Sequence, residues 1–350
     1  MHDEAGLNTG VWPAAADELV TPVREFFTRS HAPIPRIDLS AWRLELDGLV
    51  ERPARISLEE LRARFPMRRV TATVICAGLR RDEFLALGPL PGELPWGPEA
   101  AGTGQWGGVP LREVLLAAGV AERDGFVEFT GLDRVERRGD AFGFGGSIPL
   151  AKAFGEEVLL AWELNGEPLT PAHGAPLRAI VPGWIGARSV KWLGRITVRA
   201  DPSPNYFQTR AYRLQREVNP ADPLDVTAGE ALGPIPLNAV ILDPVAHRIV
   251  PAGPVRVRGW AVGTGGQAVT RVELSADGGG VWQPARITRR AGEWAWCLWD
   301  AMIDLPRGPA LLVARAADAS GAEQPAEPGS TWNVKGYCNN AWHRVPVTAG

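Results

Sequence analysis

The sequence of 350 residues predicts an α+β domain, mixing helices and strands, followed by an all-β sandwich of immunoglobulin-like architecture. In the first part, strand-like runs mix with short helices without regular βαβ alternation, which is typical of an α+β fold. After about residue 237, six or more short strands are separated by turns, which indicates a sandwich. We therefore divide the chain into an N-terminal extension (1–40), a first domain with its linker (41–236) and the sandwich (237–350).

The first domain opens with alternating residues at 42–46, which predict a strand. Ser57 with Glu60 three residues later is a capping box and predicts a short helix. The β-branched run at 70–76 predicts a strand, so Cys76 should lie at a strand end and face a loop.

The remaining elements are predicted from the same periodicities and turn residues. In the first domain they are a loop at 85–110, a helix at 111–120, a strand at 126–129, a glycine-rich loop at 131–148, strands at 158–163, 177–181 and 190–198, and a proline-rich linker at 201–236. In the sandwich they are strands at 240–242, 255–260, 269–274, 282–287, 294–299 and 311–316, with a hairpin turn at 277–280.

Composition excludes several classes of protein. A formal net charge of −3 gives no general attraction to nucleic acid or anionic lipid, and the apolar runs are too short to cross a bilayer. Three scattered cysteines do not form a disulfide framework. The start, MHDEAGLNTG, lacks the basic and apolar regions of a signal peptide. We therefore expect a cytoplasmic protein; a signal removed before residue 1 would instead place it in the periplasm.

One glycine motif is a false lead. Gly102, Gly104 and Gly107 spell the dinucleotide fingerprint G-x-G-x-x-G, but no predicted strand precedes them. That fingerprint requires a strand, a turn and a helix in this order, so we reject it.

Several other segments carry residues suited to chemistry. Cys76-Ala77-Gly78-Leu79-Arg80-Arg81 places a thiol near two guanidinium groups, which favour the metal-binding thiolate; a plain buried cysteine is the alternative. The segment at 26–31, FFTRSH, is either a ligand loop or a surface loop anchored by its aromatic residues. The segments at 173–178 and 186–192 combine glycines with arginine and lysine, which suits a phosphate, although a lone loop histidine is more often structural. The segment at 142–147, FGFGGS, is able to form an anion nest.

Taken together and in this order, these segments resemble the sulfite oxidase family of molybdenum enzymes, with a match from about residue 26 to residue 344. Plant-type nitrate reductase shares much of the pattern. The motifs that carry the resemblance are FFTRSH, VICAGLRR, GLD at 131–133, GSIPL at 146–150, ELNGEPLTPAHGAPLR, GARSVKWLGRI, WAWCLW and NAWHRV.

The resemblance implies a cofactor and its site. Cys76 matches the cysteine that ligates molybdenum of a molybdopterin cofactor. The residues that match the cofactor-binding positions are Phe27, Thr28, Arg29, Ser30, His31, Asp133, His173, Arg178, Ser189, Val190 and Lys191. The residues that match the substrate oxyanion pocket are Arg29, Arg81, Trp96, Phe144 and Lys335. The sandwich matches the domain through which the family dimerises.

Three positions depart from the pattern that the resemblance implies. Phe144 stands where these oxidases carry a tyrosine, Lys335 where they carry an arginine, and Leu79 where they carry an asparagine. A missing hydroxyl donor to a charged group would cost about 1.5–3 kcal/mol, unless an ordered water replaces it. The departures therefore concern the substrate more than the metal.

The resemblance implies an enzyme that oxidises sulfite to sulfate by oxygen-atom transfer, without a haem domain. Its electrons would leave to an external acceptor such as a cytochrome c, and it would work as a homodimer, with no nucleic-acid or membrane partner. Two alternatives stay open at this point: nitrate or sulfoxide reduction in the same site, and a non-catalytic protein that binds the cofactor or a partner.

Overall fold

The structure, a computed structural model, describes residues 7–10, 18–121, 124–216 and 225–350. It is rich in strands and has few helices, with two five-stranded sheets in the first domain and a continuous array of eight strands in the second. The predicted fold class is therefore confirmed. None of the helices in the described residues is long and apolar enough to span a membrane.

The helices are short, and the first begins where the sequence predicts. The N–H of Glu60 donates to Ser57 Oγ (3.1 Å) and the N–H of Ser57 donates to the Glu60 carboxylate (2.7 Å), which is the capping box. The α-helices are Leu58–Arg64, Leu111–Ala117 and Leu150–Ala153. The 3₁₀-helices are Val23–Glu25, Arg81–Ala86, Pro171–His173, Gly186–Arg188, Thr264–Gly266 and Pro328–Ser330, and Phe207–Ala211 forms one turn of π-helix.

The first domain packs its two sheets around a shared apolar core. The strands of one sheet run in the order Gly145–Pro149, Phe126–Gly131, Leu193–Arg199, Leu44–Gly48 and Ala54–Ile56. Those of the other run in the order Glu167–Pro168, Leu159–Leu164, Ala101–Pro110 and Arg68–Ile75, with Arg178–Ile180 also paired to Leu159–Leu164. Three small pairs complete the domain: Asn8–Thr9 with Thr28–Arg29, Val135–Arg137 with Asp140–Phe142, and Arg213–Leu214 with Glu230–Ala231.

The glycine-rich segment within 85–110 is not a loop throughout, as the sequence analysis expected. Ala101–Pro110 is a strand paired antiparallel to Arg68–Ile75. Its glycines are there because their neighbours leave no room: a Cβ on Gly102 would lie 3.0 Å from Phe26, and one on Gly104 2.4 Å from Leu164. The space left by these glycines is filled by neighbouring side chains and not by a nucleotide phosphate. The segment is therefore not a dinucleotide-binding loop.

The second domain is a sandwich with an apolar interior. Its eight strands run in the order Asn238–Asp243, Gly253–Val262, Cys297–Leu305, Gln283–Arg290, Val269–Ser275, Gly308–Asp318, His343–Ala349 and Ile249–Val250. The predicted hairpin is confirmed, because Val269–Ser275 and Gln283–Arg290 pair antiparallel on either side of the turn at 277–280.

Arg80 joins the two domains. Its side chain is fully buried, and Nε and Nη2 donate to both carboxylate oxygens of Glu83 (2.6 and 2.7 Å). Nη1 also donates to Asn238 Oδ1 (2.8 Å) and to the carbonyl oxygen of Ala341 (2.9 Å), both in the sandwich. The guanidinium group therefore ties a loop of the first domain to two segments of the second.

We predict that Arg80→Met destabilises the protein by about 3–5 kcal/mol, since it leaves a largely buried Glu83 carboxylate without its cation. The urea midpoint of unfolding measures this loss. Arg68→Ala is the control, because the Arg68–Glu156 pair is about half exposed and worth less than about 1 kcal/mol. Equal midpoints for Arg80→Met and the wild type would contradict the role assigned to Arg80.

Candidate functional site

A cavity in the first domain collects every residue that the sequence analysis assigned to cofactor binding. It contains about 710 Å³ of empty space including its mouth, a size typical of a small-molecule site. The eleven predicted residues that line it are Phe27, Thr28, Arg29, Ser30, His31, Asp133, His173, Arg178, Ser189, Val190 and Lys191. Segments separated by up to 164 residues, from Phe27 to Lys191, therefore meet around one space, which we call the first cavity.

Aromatic packing holds the N-terminal segment over the first cavity. Phe26 is buried and packs edge-on against Trp106 (5.4 Å between ring centroids) and His173 (5.8 Å). The next residues, Thr28–Arg29, pair with Asn8–Thr9 as a short strand. The aromatic anchors thus fix the backbone from which Arg29 and His31 reach the cavity.

Two buried cations, Lys191 and Arg178, line the first cavity. Lys191 Nζ donates to Ser30 Oγ (2.7 Å) and to the carbonyl oxygen of Ala172 (3.1 Å). Arg178 donates to the carbonyl oxygens of His173 (3.0 Å) and Ser189 (2.9 Å). Burial lowers the pKa of Arg178 to about 9 and that of Lys191 well below its ordinary value.

The buried charge is not balanced within the cavity. Among the described residues that line it, Asp133 is the one carboxylate, against the three cations Arg29, Arg178 and Lys191. Asp133 accepts the N–H of Phe144 (2.9 Å), and burial raises its pKa. Arg178 Nε, buried, has no hydrogen-bond partner among the described residues. Buried cations with unused donors favour an anionic ligand, so the cavity suits a phosphate group.

Cys76 also lines the first cavity. It follows the strand Arg68–Ile75, as predicted, and the Gly78 N–H donates to its Sγ at 3.4 Å. A Cβ on Gly78 would lie 2.6 Å from Arg81 Cζ, so glycine is needed here to let the guanidinium group approach. A cavity lined by both a thiol and buried cations suits a cofactor that carries a soft metal and a phosphate.

A second cavity adjoins the first and shares Cys76, Arg29, His31 and Tyr212 with it. Its lining is strongly basic. The charged residues that line it are Arg29, Arg81, Arg137, Arg210, Lys335 and Glu93. Of the residues predicted for the oxyanion pocket, the structure brings Arg29, Arg81 and Lys335 together here, beside Cys76.

Two of the predicted pocket residues lie elsewhere. Trp96 lines neither cavity: it is fully buried in the core, with its ring packed edge-on against Phe27 at 6.4 Å. Phe144 lines the first cavity, stacks on the His31 ring (5.2 Å) and packs against Phe207 (4.3 Å). Neither side chain lines the basic second cavity, and the assignment of both to the oxyanion pocket stays a prediction.

A tyrosine hydroxyl group, that of Tyr212, lies at the boundary of the two cavities. Its Oη lies 2.9 Å from His31 Nε2, and its buried ring stacks on Tyr337 (5.3 Å). Arg29 Nη2 donates to His31 Nδ1 (3.3 Å), and burial holds the pKa of His31 well below 6.5. His31 is therefore neutral with its proton on Nε2, donating to Tyr212 and leaving the phenol proton free to point into the second cavity.

Tyr212 was not among the predicted site residues because it lies in the segment 201–236, which the sequence predicts to be a proline-rich linker. The described residues of this segment include the π-helical turn Phe207–Ala211, which packs against the site, and a small strand pair. Three aromatic residues within ten positions of a polar linker (Tyr206, Phe207 and Tyr212) were the available signal. Burial raises the pKa of Tyr212 to about 12, so the hydroxyl stays protonated near neutral pH.

Family models match both domains. A model described as oxidoreductase molybdopterin binding domain matches residues 31–207, and one described as Mo-co oxidoreductase dimerisation domain matches residues 230–350.

Curated relatives resemble nearly the whole chain. It is 40% identical to sulfite oxidase of Gallus gallus (94% of this chain, 73% of that protein) and 38% identical to mitochondrial sulfite oxidase of Homo sapiens (95% and 62%). It is 36% identical to an inducible NADH nitrate reductase of Glycine max, of which it covers 39%. The chain thus spans less than two thirds of several relatives.

Among solved structures, the sulfane dehydrogenase SoxCD from Paracoccus pantotrophus is similar to this chain. The match covers 98% of this chain and 85% of the SoxCD chain, with 28% identity and a TM-score of 0.81.

The buried His173 predicts a pH dependence of stability in the protein without its cofactor. Burial lowers the pKa of His173 to about 4, from an ordinary value of 6.5. Between these values the unfolded chain binds a proton that the folded protein does not, so the free energy of unfolding falls as the pH decreases, by up to about 3 kcal/mol from this residue. In His173→Gln the free energy of unfolding should fall less between pH 7.5 and 4.5, because glutamine does not titrate. Urea unfolding at pH 7.5 and 4.5 measures it, and an equal decrease in both proteins would contradict the prediction.

Proposed function

Because the chain belongs to the sulfite oxidase family of molybdopterin oxidoreductases, we propose that it oxidises sulfite to sulfate and passes the electrons to an external acceptor. The balanced half-reaction is SO₃²⁻ + H₂O → SO₄²⁻ + 2 H⁺ + 2 e⁻. The observation that carries the proposal is the shared boundary of the two cavities, where Cys76 lies beside three cations predicted to bind the oxyanion, Arg29, Arg81 and Lys335.

The residues present fit the molybdopterin cofactor. Lys191 and Arg178 would hold its phosphate, because both are buried donors in a cavity whose three cations outnumber the Asp133 carboxylate. The Cys76 thiolate would hold the metal, with the Gly78 N–H donating to its sulfur. When bound, this cofactor supplies the oxygen-atom transfer and accepts the two electrons.

The second cavity supplies binding and orientation for the substrate. Arg29, Arg81 and Lys335 offer positive charge to the oxygen atoms of the oxyanion, and Tyr212 offers a neutral hydroxyl donor. His31 fixes the direction of that hydroxyl through its own Nε2 proton. Since Arg81 is buried, an oxyanion would meet its charge with little screening by water.

The partners can be inferred in less detail than the cofactor. The family model for the second domain supports a homodimer formed through the sandwich. A cytochrome c remains our proposed acceptor, and the cytoplasm our proposed compartment. Nitrate or sulfoxide reduction is the second candidate function, favoured by the similarity to nitrate reductases and by Lys335 in place of the expected arginine.

Steady-state rates decide between these functions. We expect sulfite-dependent reduction of cytochrome c or ferricyanide to exceed nitrate and sulfoxide reduction by the same preparation. Faster nitrate or sulfoxide turnover would favour the second candidate, and an absence of all three activities in cofactor-loaded protein would favour a non-catalytic role.

We predict that Cys76→Ser abolishes sulfite oxidation, since a serine hydroxyl is a hard, weakly acidic ligand that does not replace a thiolate. Metal analysis and the electronic absorption spectrum are measured beside the activity. Cys297→Ser is the control, because that thiol is buried in the sandwich core. A fully active Cys76→Ser enzyme with stoichiometric molybdenum would refute the assignment.

We predict that Tyr212→Phe lowers kcat/KM for sulfite about tenfold to a hundredfold, since it removes a hydrogen bond to a charged substrate worth about 1.5–3 kcal/mol. Tyr337→Phe is the matched control: Tyr337 stacks on Tyr212 in the same cavity. Equal losses in the two variants would show that the Tyr212 hydroxyl has no particular role.

A further inference from the structure

A single carboxylate, that of Glu93, enters the basic second cavity. Its Oε1 lies 3.0 Å from Lys335 Nζ and its Oε2 lies 3.3 Å from Arg81 Nη2. The Glu93 side chain is only 14% exposed. Among the described residues that line the cavity it is the sole acidic one, so the two cations assigned to the oxyanion are already paired with a protein carboxylate.

Arg81 has little freedom to leave this pairing. Its Nε donates to the carbonyl oxygen of Lys335 (2.9 Å) and its Nη1 donates to that of Leu94 (2.9 Å). The guanidinium group also lies 5.1 Å above the Tyr337 ring. The residue thus joins the loop that carries Glu93 to the segment that carries Lys335, and the three charges are held in one arrangement.

This arrangement sets the charge that an incoming anion meets. The three cations assigned to the oxyanion, Arg29, Arg81 and Lys335, would present three positive charges, whereas with Glu93 paired to two of them the net charge is two. A dianion is repelled by the fixed carboxylate twice as strongly as a monoanion of the same shape, and the repulsion is large where water is excluded. Glu93 therefore reduces the preference of the cavity for a dianion over a monoanion.

We propose that Glu93 is a specificity-determining residue that shifts the preference of the second cavity away from dianions and towards singly charged sulfur oxyanions, such as hydrogensulfite. The proposal rests on the proposed function in that it concerns the substrate of the same site. Glu93 acts through Arg81 and Lys335 and takes no part in the redox step.

Two inert anions of the same tetrahedral shape test the charge preference. Sulfate carries two negative charges and perchlorate carries one. Their dissociation constants are measured by calorimetry on the cofactor-loaded enzyme at constant pH and ionic strength, and by competition with sulfite. In Glu93→Gln, we expect the affinity for sulfate relative to perchlorate to rise about tenfold over that of the wild type. The KM for sulfite should fall, with a smaller change in kcat.

Two further variants separate the effect of the Glu93 charge from its effect on the local structure. Glu93→Asp keeps the carboxylate and should keep the wild-type preference, and Glu327→Gln removes a solvent-exposed carboxylate in the second domain and should change nothing. An unchanged ratio of sulfate to perchlorate affinity in Glu93→Gln would overturn the proposal. Loss of both anions in Glu93→Gln, with Glu93→Asp intact, would also overturn it, because the carboxylate would then serve to build the anion site.

Anion binding by calorimetry does not require sulfite turnover. If the enzyme proves inactive on sulfite while Glu93→Gln still gains affinity for sulfate over perchlorate, the proposed function fails and the role of Glu93 stands. If sulfite is oxidised and the ratio does not move, the proposed function stands and the role of Glu93 fails.

Discussion

Lys191 and Arg178 are buried cations whose hydrogen bonds go to neutral oxygen atoms. Burying charge without an opposite charge is costly, and the arrangement becomes favourable when an anion enters and pairs with both groups. The rest of the site depends on this constraint. The loops that carry the cations contribute their backbone carbonyls to hold the side chains in place, and Phe26 and Phe27 close the cavity by packing into the core. The cofactor proposed for the site therefore supplies the charge that the folded chain lacks.

Arg29 and His31 connect the two cavities. Arg29 and His31 line the first cavity and the second cavity alike. Two hydrogen bonds connect Arg29 through His31 to the Tyr212 hydroxyl. Because burial keeps His31 neutral, these hydrogen bonds are donated in one direction, from Arg29 to His31 and from His31 to Tyr212, and the phenol is the last donor. Phe144 and Phe207 pack against the imidazole ring and hold its orientation. The position of a substrate donor is thus set by residues that belong to the cofactor cavity.

Arg80 and Arg81, which are neighbours in the loop after Cys76, have different structural roles. Arg80 adopts a left-handed backbone conformation (φ 57°), and its side chain is fully buried between the domains. Arg81 instead lines the second cavity and meets the segment that carries Lys335 and Tyr337. Since the sandwich domain supplies that segment, the substrate cavity is complete only when the two domains are docked. The contacts of Arg80 therefore support the site as well as the stability of the chain.

Features with local causes can be predicted from the order of the residues. Periodicity and turn residues are sufficient for most strands, the capping box at Ser57 for the first helix, and the ordered motifs for the family and its cofactor. Which side chains line the same cavity depends instead on how distant segments pack. Trp96 and Phe144 were assigned to the substrate pocket by their place in the chain, yet packing directs them into the core and the first cavity. Tyr212 and Glu93 lie in segments with no recognised motif, and they reach the site because the second domain and the folded linker bring distant residues together. Side-chain direction depends on such long-range packing, which the order of residues along the chain does not specify.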